Sequence, residues 1–157
     1  MKILILGGDG MIGHKMVQVL GAQNHEIVIS VREKRDLSLK SFSSKSKVFF
    51  NDFIKENVLN FLDKVNPDVI INAIGVTIRR GVNDHVSNSI YINSYFPHQL
   101  ANWAGIHNKK LIHFSTDCVF SGSEGSYSED ATPNALDYYG KTKGLGEVFS
   151  KNALTLR

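Results

Sequence analysis

Of the five tyrosines in this 157-residue chain, only Tyr139 is followed four positions later by a lysine, Lys143. On a helix, residues i and i+4 share a face, so a phenol and an ammonium can meet. A phenol titrates near 10 and is a slow acid–base group at neutral pH, whereas a neighbouring cation favours phenolate and brings it toward a working range. Upstream, the stretch "FSTDCVFSG" (Phe114 to Gly122) closes an apolar run and offers the Ser115 and Thr116 hydroxyls to a substrate oxygen.

A second chemical feature stands at the start. "GGDGMIG" (Gly7 to Gly13) separates the apolar run Lys2 to Leu6 from helically spaced sequence beginning at Met11. Two glycine frames fit, Gly8-x-Gly10-x-x-Gly13 and Gly7-x-x-Gly10-x-x-Gly13. Either gives a tight turn after a strand, a bare backbone that admits a pyrophosphate, and a close helix–strand contact. Gly7, Gly10, Met11, Ile12 and Gly13 are the expected cradle, with the first N–H groups of the helix facing the phosphates. A triphosphate loop does not fit, because His14 and Lys15 stand where Lys and Ser or Thr are required. Arg32 follows the second strand, where NAD binders carry an acid; an arginine there suits the extra ribose phosphate of NADP, so NADP(H) is favoured over NAD(H).

The elements that must hold these residues follow from pattern. Apolar runs at Lys2–Leu6, Glu26–Ser30, Lys47–Phe50, Asp68–Gly75, Lys109–Ser115 and Ala153–Arg157 read as strands. Between them, helices are expected over Met11–Ala22, Ile54–Val65, about Asp84–Ala104 and about Asp137–Ser150. Strands apolar along their length and alternating with helices give an α/β doubly wound parallel sheet of the NAD(P)-binding Rossmann type. The whole chain, residues 1–157, is expected to be one such domain.

Composition narrows the classes. The chain is 42% hydrophobic and 21% charged, as ordinary globular proteins are. No apolar stretch approaches the roughly 18 residues of a membrane span, and one cysteine, Cys118, points to a reducing cytoplasm. The net charge of +3 is mostly scattered, its one cluster (Val31 to Lys47) being broken by Glu33 and Asp36, so nucleic acid is not an expected partner. Six histidines show no metal-ligand spacing, and no metal is expected.

The segments "GGDGMIG", "NAIGVT" (Asn72 to Thr77), "INSYFP" (Ile92 to Pro97), "STDCVFSG" (Ser115 to Gly122) and "YGKTKGLGE" (Tyr139 to Glu147) together resemble the extended short-chain dehydrogenases/reductases. They resemble most closely the dTDP-4-dehydrorhamnose reductase branch, with its relatives in cell-surface polysaccharide synthesis. The resemblance implies NAD(P)H-dependent reduction of a keto group on a nucleotide-activated sugar. Tyr139 would protonate the keto oxygen, Thr116 would hydrogen-bond it, and Lys143 would hold the nicotinamide ribose and lower the tyrosine pKa. Asp52 and Phe53 match the adenine position, Ala73, Ile74 and Gly75 would line the cofactor with Ser115, and Asn93 matches a structural bridge. Arg79 and Arg80 are weaker candidates for substrate phosphates. Dehydratases of this pattern place a glutamate where Cys118 stands, which favours plain reduction. A non-catalytic NADP-binding regulatory subunit and a sugar-nucleotide epimerase or dehydratase remain the alternatives, and a homodimer is compatible with the pattern. The resemblance also implies a longer parent, its C-terminal substrate part missing here.

Overall fold

β-branched and leucine runs bounded by turn residues become strands wherever both faces can be covered. In the computed structural model, which describes residues 1–33, 46–77 and 86–157, these runs are β1 (Lys2–Leu6), β2 (Glu26–Val31), β3 (Lys47–Phe50), β4 (Val69–Asn72), β5 (Lys110–Phe114) and β6 (Ala153–Leu156). They form one parallel sheet in the order β3-β2-β1-β4-β5-β6. The order reverses between β1 and β4, and loops leaving their carboxyl ends part to open a crevice there. This is the doubly wound Rossmann arrangement.

Strand alternation divides the core in two. Ile3, Ile5, Ile27, Ile29 and Ile71 face α1 (Met11–Gly21) through Val17. Leu4, Leu6, Val28, Ile70 and Leu111 face the opposite way, onto Phe61, Leu62 and Val65 of α2 (Val58–Val65) and onto Phe96, Leu100 and Trp103 of α4 (Phe96–Ile106). Trp103 donates its indole N–H to Asp63 at 2.7 Å, tying α4 to α2.

Four expected boundaries move. β4 stops at Asn72 because the Asn72 carboxamide accepts the Ile74 N–H at 3.2 Å and turns the chain out of the sheet. The helix expected from Ile54 begins at Val58. Asp52 accepts the Ile54 N–H in its own turn, while Glu56 accepts from the Asp52 N–H and the Asn51 amide, so Asn57 has to cap α2 afresh through Leu59 N–H. The long helix is seen from α3 (Val86–Ile90), passes through one wide π turn (Tyr91–Tyr95) and continues as α4 to Ile106. Asp137 caps α5 (Tyr138–Leu145), accepting the Gly140 N–H at 2.9 Å, but α5 ends at Leu145 rather than Ser150.

That early end is a packing event. A Cβ on Gly146 would strike the Asn93 carbonyl in the π turn, so the chain passes the π turn backbone to backbone at this point. Gly146→Ala should therefore lower stability by roughly 3 kcal/mol, the upper range for overpacking. A urea titration with an unchanged denaturant slope would show it.

Candidate active site

Three strands deliver the glycine segment and its neighbours to one rim. Gly7 leaves β1 with φ +80°, a conformation costly for any side chain. Its N–H and that of Gly8 both donate to the Ser30 carbonyl of β2, at 2.9 and 3.2 Å. A Cβ on Gly13 would strike the Gly7 carbonyl, so α1 begins directly against the turn. A Cβ on Gly8 would strike Ile29 of β2, so both glycine frames are compatible with this turn, and Gly7 and Gly10 are the members that line the cleft. α1 starts at Met11 with no side-chain cap and no acid in its first turn, leaving its N–H groups and positive end facing outward.

A cleft of about 380 Å³ opens there, lined by Gly7 and Gly10, by Arg32 and Glu33 after β2, by Asp52 and Phe53 after β3, and by Ala73, Ile74, Gly75 and Val76 after β4. Arg32 is exposed and lies 3.7 Å from Glu33. Phe53 reaches the cleft but is almost wholly buried, stacked obliquely on Phe61 and Phe96, so it serves the core as well as the rim. Met11 is 88% exposed and, like Ile12 and Gly13, lies outside the cleft lining. Arg79 and Arg80 lie outside the described residues.

The second cluster adjoins the first. Lys143 on α5 is only 3% exposed, and its ammonium donates to the Phe114 carbonyl at 2.7 Å. The point where Gly75 would carry a Cβ is 4.0 Å from Lys143 Nζ and 3.7 Å from Asn93 Oδ1. Asn93 accepts the Val76 N–H at 2.8 Å and donates to the Val76 carbonyl at 2.9 Å and to Thr142 Oγ1 at 3.1 Å. It is a structural bridge between the cleft and α5, as its position implied. Thr116 Oγ1 accepts the Cys118 N–H at 3.2 Å, lies 3.2 Å from Asp117 Oδ1 and is hydrogen-bonded to the half-buried Tyr139 phenol. Its single proton can go to Asp117 or to the phenol, not to both.

Two expectations are corrected. Tyr139 lies above the ordinary phenol value, not below it: burial raises it, and the Thr116 hydrogen bond opposes the rise only in part. Lys143 is not among the groups that shift the phenol; its ammonium donates to the Phe114 carbonyl and is itself depressed to about 8 by desolvation, against a smaller raising effect from Glu147. Ser115 is also already engaged. Its hydroxyl donates to Glu147 Oε1 at 2.8 Å, leaving no proton for a ligand.

The Glu147 connection carries further. Its buried carboxylate takes a two-pronged contact from Arg157, with Nε and Nη2 each 2.8 Å from an oxygen. Arg157 Nη1 donates to the Glu129 and Ala131 carbonyls, and its guanidinium lies over the Phe120 ring. Neither Glu147 nor Arg157 stood out in the sequence. A glutamate four positions after Lys143 was the only signal available.

With this geometry established, the comparisons with known proteins decide the family. The model of the RmlD substrate binding domain matches residues 1–155. The chain belongs to that family. A dTDP-4-dehydrorhamnose reductase of Aggregatibacter actinomycetemcomitans is 31% identical over 147 residues, which is 93% of this chain and 45% of the relative. The crystal structure of a hypothetical dTDP-4-dehydrorhamnose reductase from Sulfolobus tokodaii superposes with a TM-score of 0.83 at 27% identity, covering 99% of this chain and 54% of that one. UDP-glucuronic acid 4-epimerase from Bacillus cereus, in complex with UDP-glucuronic acid and NAD, gives 0.77 at 25% identity over 93% of this chain and 50% of that one. The chain spans about half the length of the curated relatives it matches.

Burying the Lys143 ammonium has a stability consequence. Between its folded value of about 8 and its ordinary 10.5, the unfolded chain holds a proton that the folded chain has released, so this group's contribution rises with pH across that window. Lys143→Met is expected to be more stable by roughly 3 kcal/mol at pH 7, with the advantage gone above pH ~10.5. Urea titrations at a series of pH values would check both.

Proposed function

We propose that this chain is the dinucleotide-binding and proton-donating part, over residues 1–157, of an NADPH-dependent reductase that acts on a keto group of a nucleotide-activated sugar in cell-surface polysaccharide synthesis. The observation that carries the reading is the contact between the two clusters. Gly75 belongs to the cleft lining, yet stands against Lys143 Nζ on the helix that bears Tyr139.

The residues present fit a dinucleotide. A turn held open at Gly7, an uncapped helix start and the bare backbone at Gly10 suit a pyrophosphate. Gly7, Gly10, Met11, Ile12 and Gly13 would hold it, Asp52 and Phe53 would meet the adenine, and Ala73, Ile74 and Gly75 the other half. Arg32, exposed at the surface, would pair with a 2′-phosphate in place of Glu33. Lys143 would hold the ribose next to the nicotinamide. The bound reduced dinucleotide supplies the hydride.

Tyr139 supplies the proton. A phenol held above its ordinary value is fully protonated at neutral pH and is a donor, as reduction of a carbonyl requires. Thr116 would hydrogen-bond the same oxygen by turning its one proton away from Asp117 and toward the substrate. Cys118 has no carboxylate with which to remove a carbon-bound proton, which separates this site from a dehydratase. The relatives' names support sugar-nucleotide keto reduction.

In calorimetry, the chain is expected to bind NADPH about tenfold more tightly than NADH, and Arg32→Ala to close that gap. An unchanged preference would remove the NADP assignment. With a dTDP-4-keto-6-deoxy sugar and the active enzyme, Tyr139→Phe should cost about 10²–10⁴ in kcat while dinucleotide affinity stays within about threefold. Retained turnover would leave a binding protein only.

A further inference from the structure

Two buried side-chain nitrogens lack a hydrogen-bond partner among the described residues, His25 Nδ1 and His113 Nε2. His25 lies in the turn before β2. His113 is the more demanding case, wholly enclosed on β5 with the Asn72 side chain beside it. An enclosed polar atom without a partner is a liability that phenylalanine or leucine would avoid, so the imidazole there needs a reason.

The hydrogen-bond directions supply one. A backbone nitrogen can only donate, so the Asn72 atom facing Ile74 N at 3.2 Å is the carbonyl oxygen. The Asn72 amide nitrogen therefore faces His113 Nδ1, at 3.0 Å, and Nδ1 must accept. The ring's proton is thereby forced onto Nε2, the atom without a partner. The orphan is the consequence of giving Asn72 an acceptor.

We infer that His113 is a positioning residue: its bare Nδ1 fixes the Asn72 amide in the one orientation that holds the Ile74 N–H, and so shapes the Ala73–Val76 wall of the dinucleotide cleft. Asn72 and His113 are direct register partners on β4 and β5, so neither can retreat from the other. Burial, with Lys143 and His98 as neighbouring charges, holds the ring far below its ordinary value, at about 3, so it never presents a second donor to Asn72 at neutral pH. Without His113 the amide could turn over, Ile74 N–H would face a donor, and Ile74 would lose its side-chain tie to β4, leaving the Ala73 N–H on the Leu6 carbonyl as the segment's bond to the sheet.

The role of the cleft rests on the dinucleotide reading above, and the test separates the two. The chain, its His113→Phe variant and its His113→Asn variant would each be titrated with NADPH and melted. Phenylalanine keeps the ring's volume but offers no acceptor, so stability near or above wild type with affinity at least about tenfold weaker is expected. Asparagine places a carbonyl oxygen near the Nδ1 position but leaves a void, so lower stability with affinity within about threefold of wild type is expected. Affinity that simply follows stability in both variants, or His113→Phe binding as wild type, overturns the inference. Nitrogen NMR of the wild-type imidazole gives an independent readout: a bare Nδ1 is expected, and a protonated Nδ1 would overturn it. Should wild type bind no dinucleotide, the functional reading fails. The tautomer, with the Ile74 amide resonance displaced in the phenylalanine variant and restored in the asparagine variant, would still decide the inference.

Discussion

A parallel sheet leaves its functional loops as separate excursions from separate strands, and nothing in the sheet itself fixes one against another. Here the constraint that does so is the enclosed carboxamide of Asn93. It pairs with both the N–H and the carbonyl of Val76, as a neighbouring strand would, and reaches Thr142 on α5 with its remaining proton. Ser94 beside it donates to the Thr142 carbonyl at 2.8 Å. The wall of the cleft after β4 and the helix carrying Tyr139 and Lys143 are thereby held to one point. An all-α geometry would not turn both side chains that way. The extra residue of the π turn, closed by the Phe96 N–H on the Tyr91 carbonyl, re-aims them, and Gly146 leaves room for it.

What could be read from the sequence was whatever depends on neighbours along the chain. The apolar runs marked six strands because they are short, uniform and bounded by turn residues, and their alternation with amphipathic stretches fixed a parallel sheet. The glycine segment and the Tyr139–Lys143 spacing were legible because their geometry is set within about one turn of helix. What was hidden depends on partners distant in sequence. Asn72 ends β4 by capturing Ile74, yet its orientation is set by His113, which lies on the next strand. Ser115 looked available until Glu147 took its proton, and Glu147 is placed by Arg157. The direction of the Tyr139 shift was misread for the same reason: spacing showed a cation one turn away, but not the burial that raises the phenol or the Phe114 carbonyl to which the cation is bonded.

The polar groups of this rim share a character. Asn93, His113, Lys143 and Glu147 are all polar and all enclosed, along the carboxyl rim of β4 and β5 and the helix above it. Enclosing such groups gains less stability than packing hydrocarbon, and an unpaired one costs outright. Each is nevertheless held by at least one hydrogen bond whose other end belongs to the cleft wall, to the end of β4 or to the end of β5. The rim therefore gives up apolar packing in return for a fixed arrangement. The rest of the sheet, with its isoleucines, leucines and valines, provides the stability against which that concession is made.

The same enclosure sets the order of the two acids in the proposed reaction. In water a phenol and a lysine ammonium differ by only about half a unit, the phenol being the stronger acid. Here burial raises Tyr139 and depresses Lys143 to about 8, so the order inverts and the ammonium becomes the stronger acid. In the proposed reduction, Tyr139 would give up its proton only when the substrate oxygen, taking on negative charge, outcompetes it. The phenolate left behind, with Asp117 and Asp137 raising its energy, would be a base strong enough to recover a proton from its own surroundings. On this reading the lysine serves as a ribose anchor, and the acidity of the tyrosine is governed by Thr116 and by its burial.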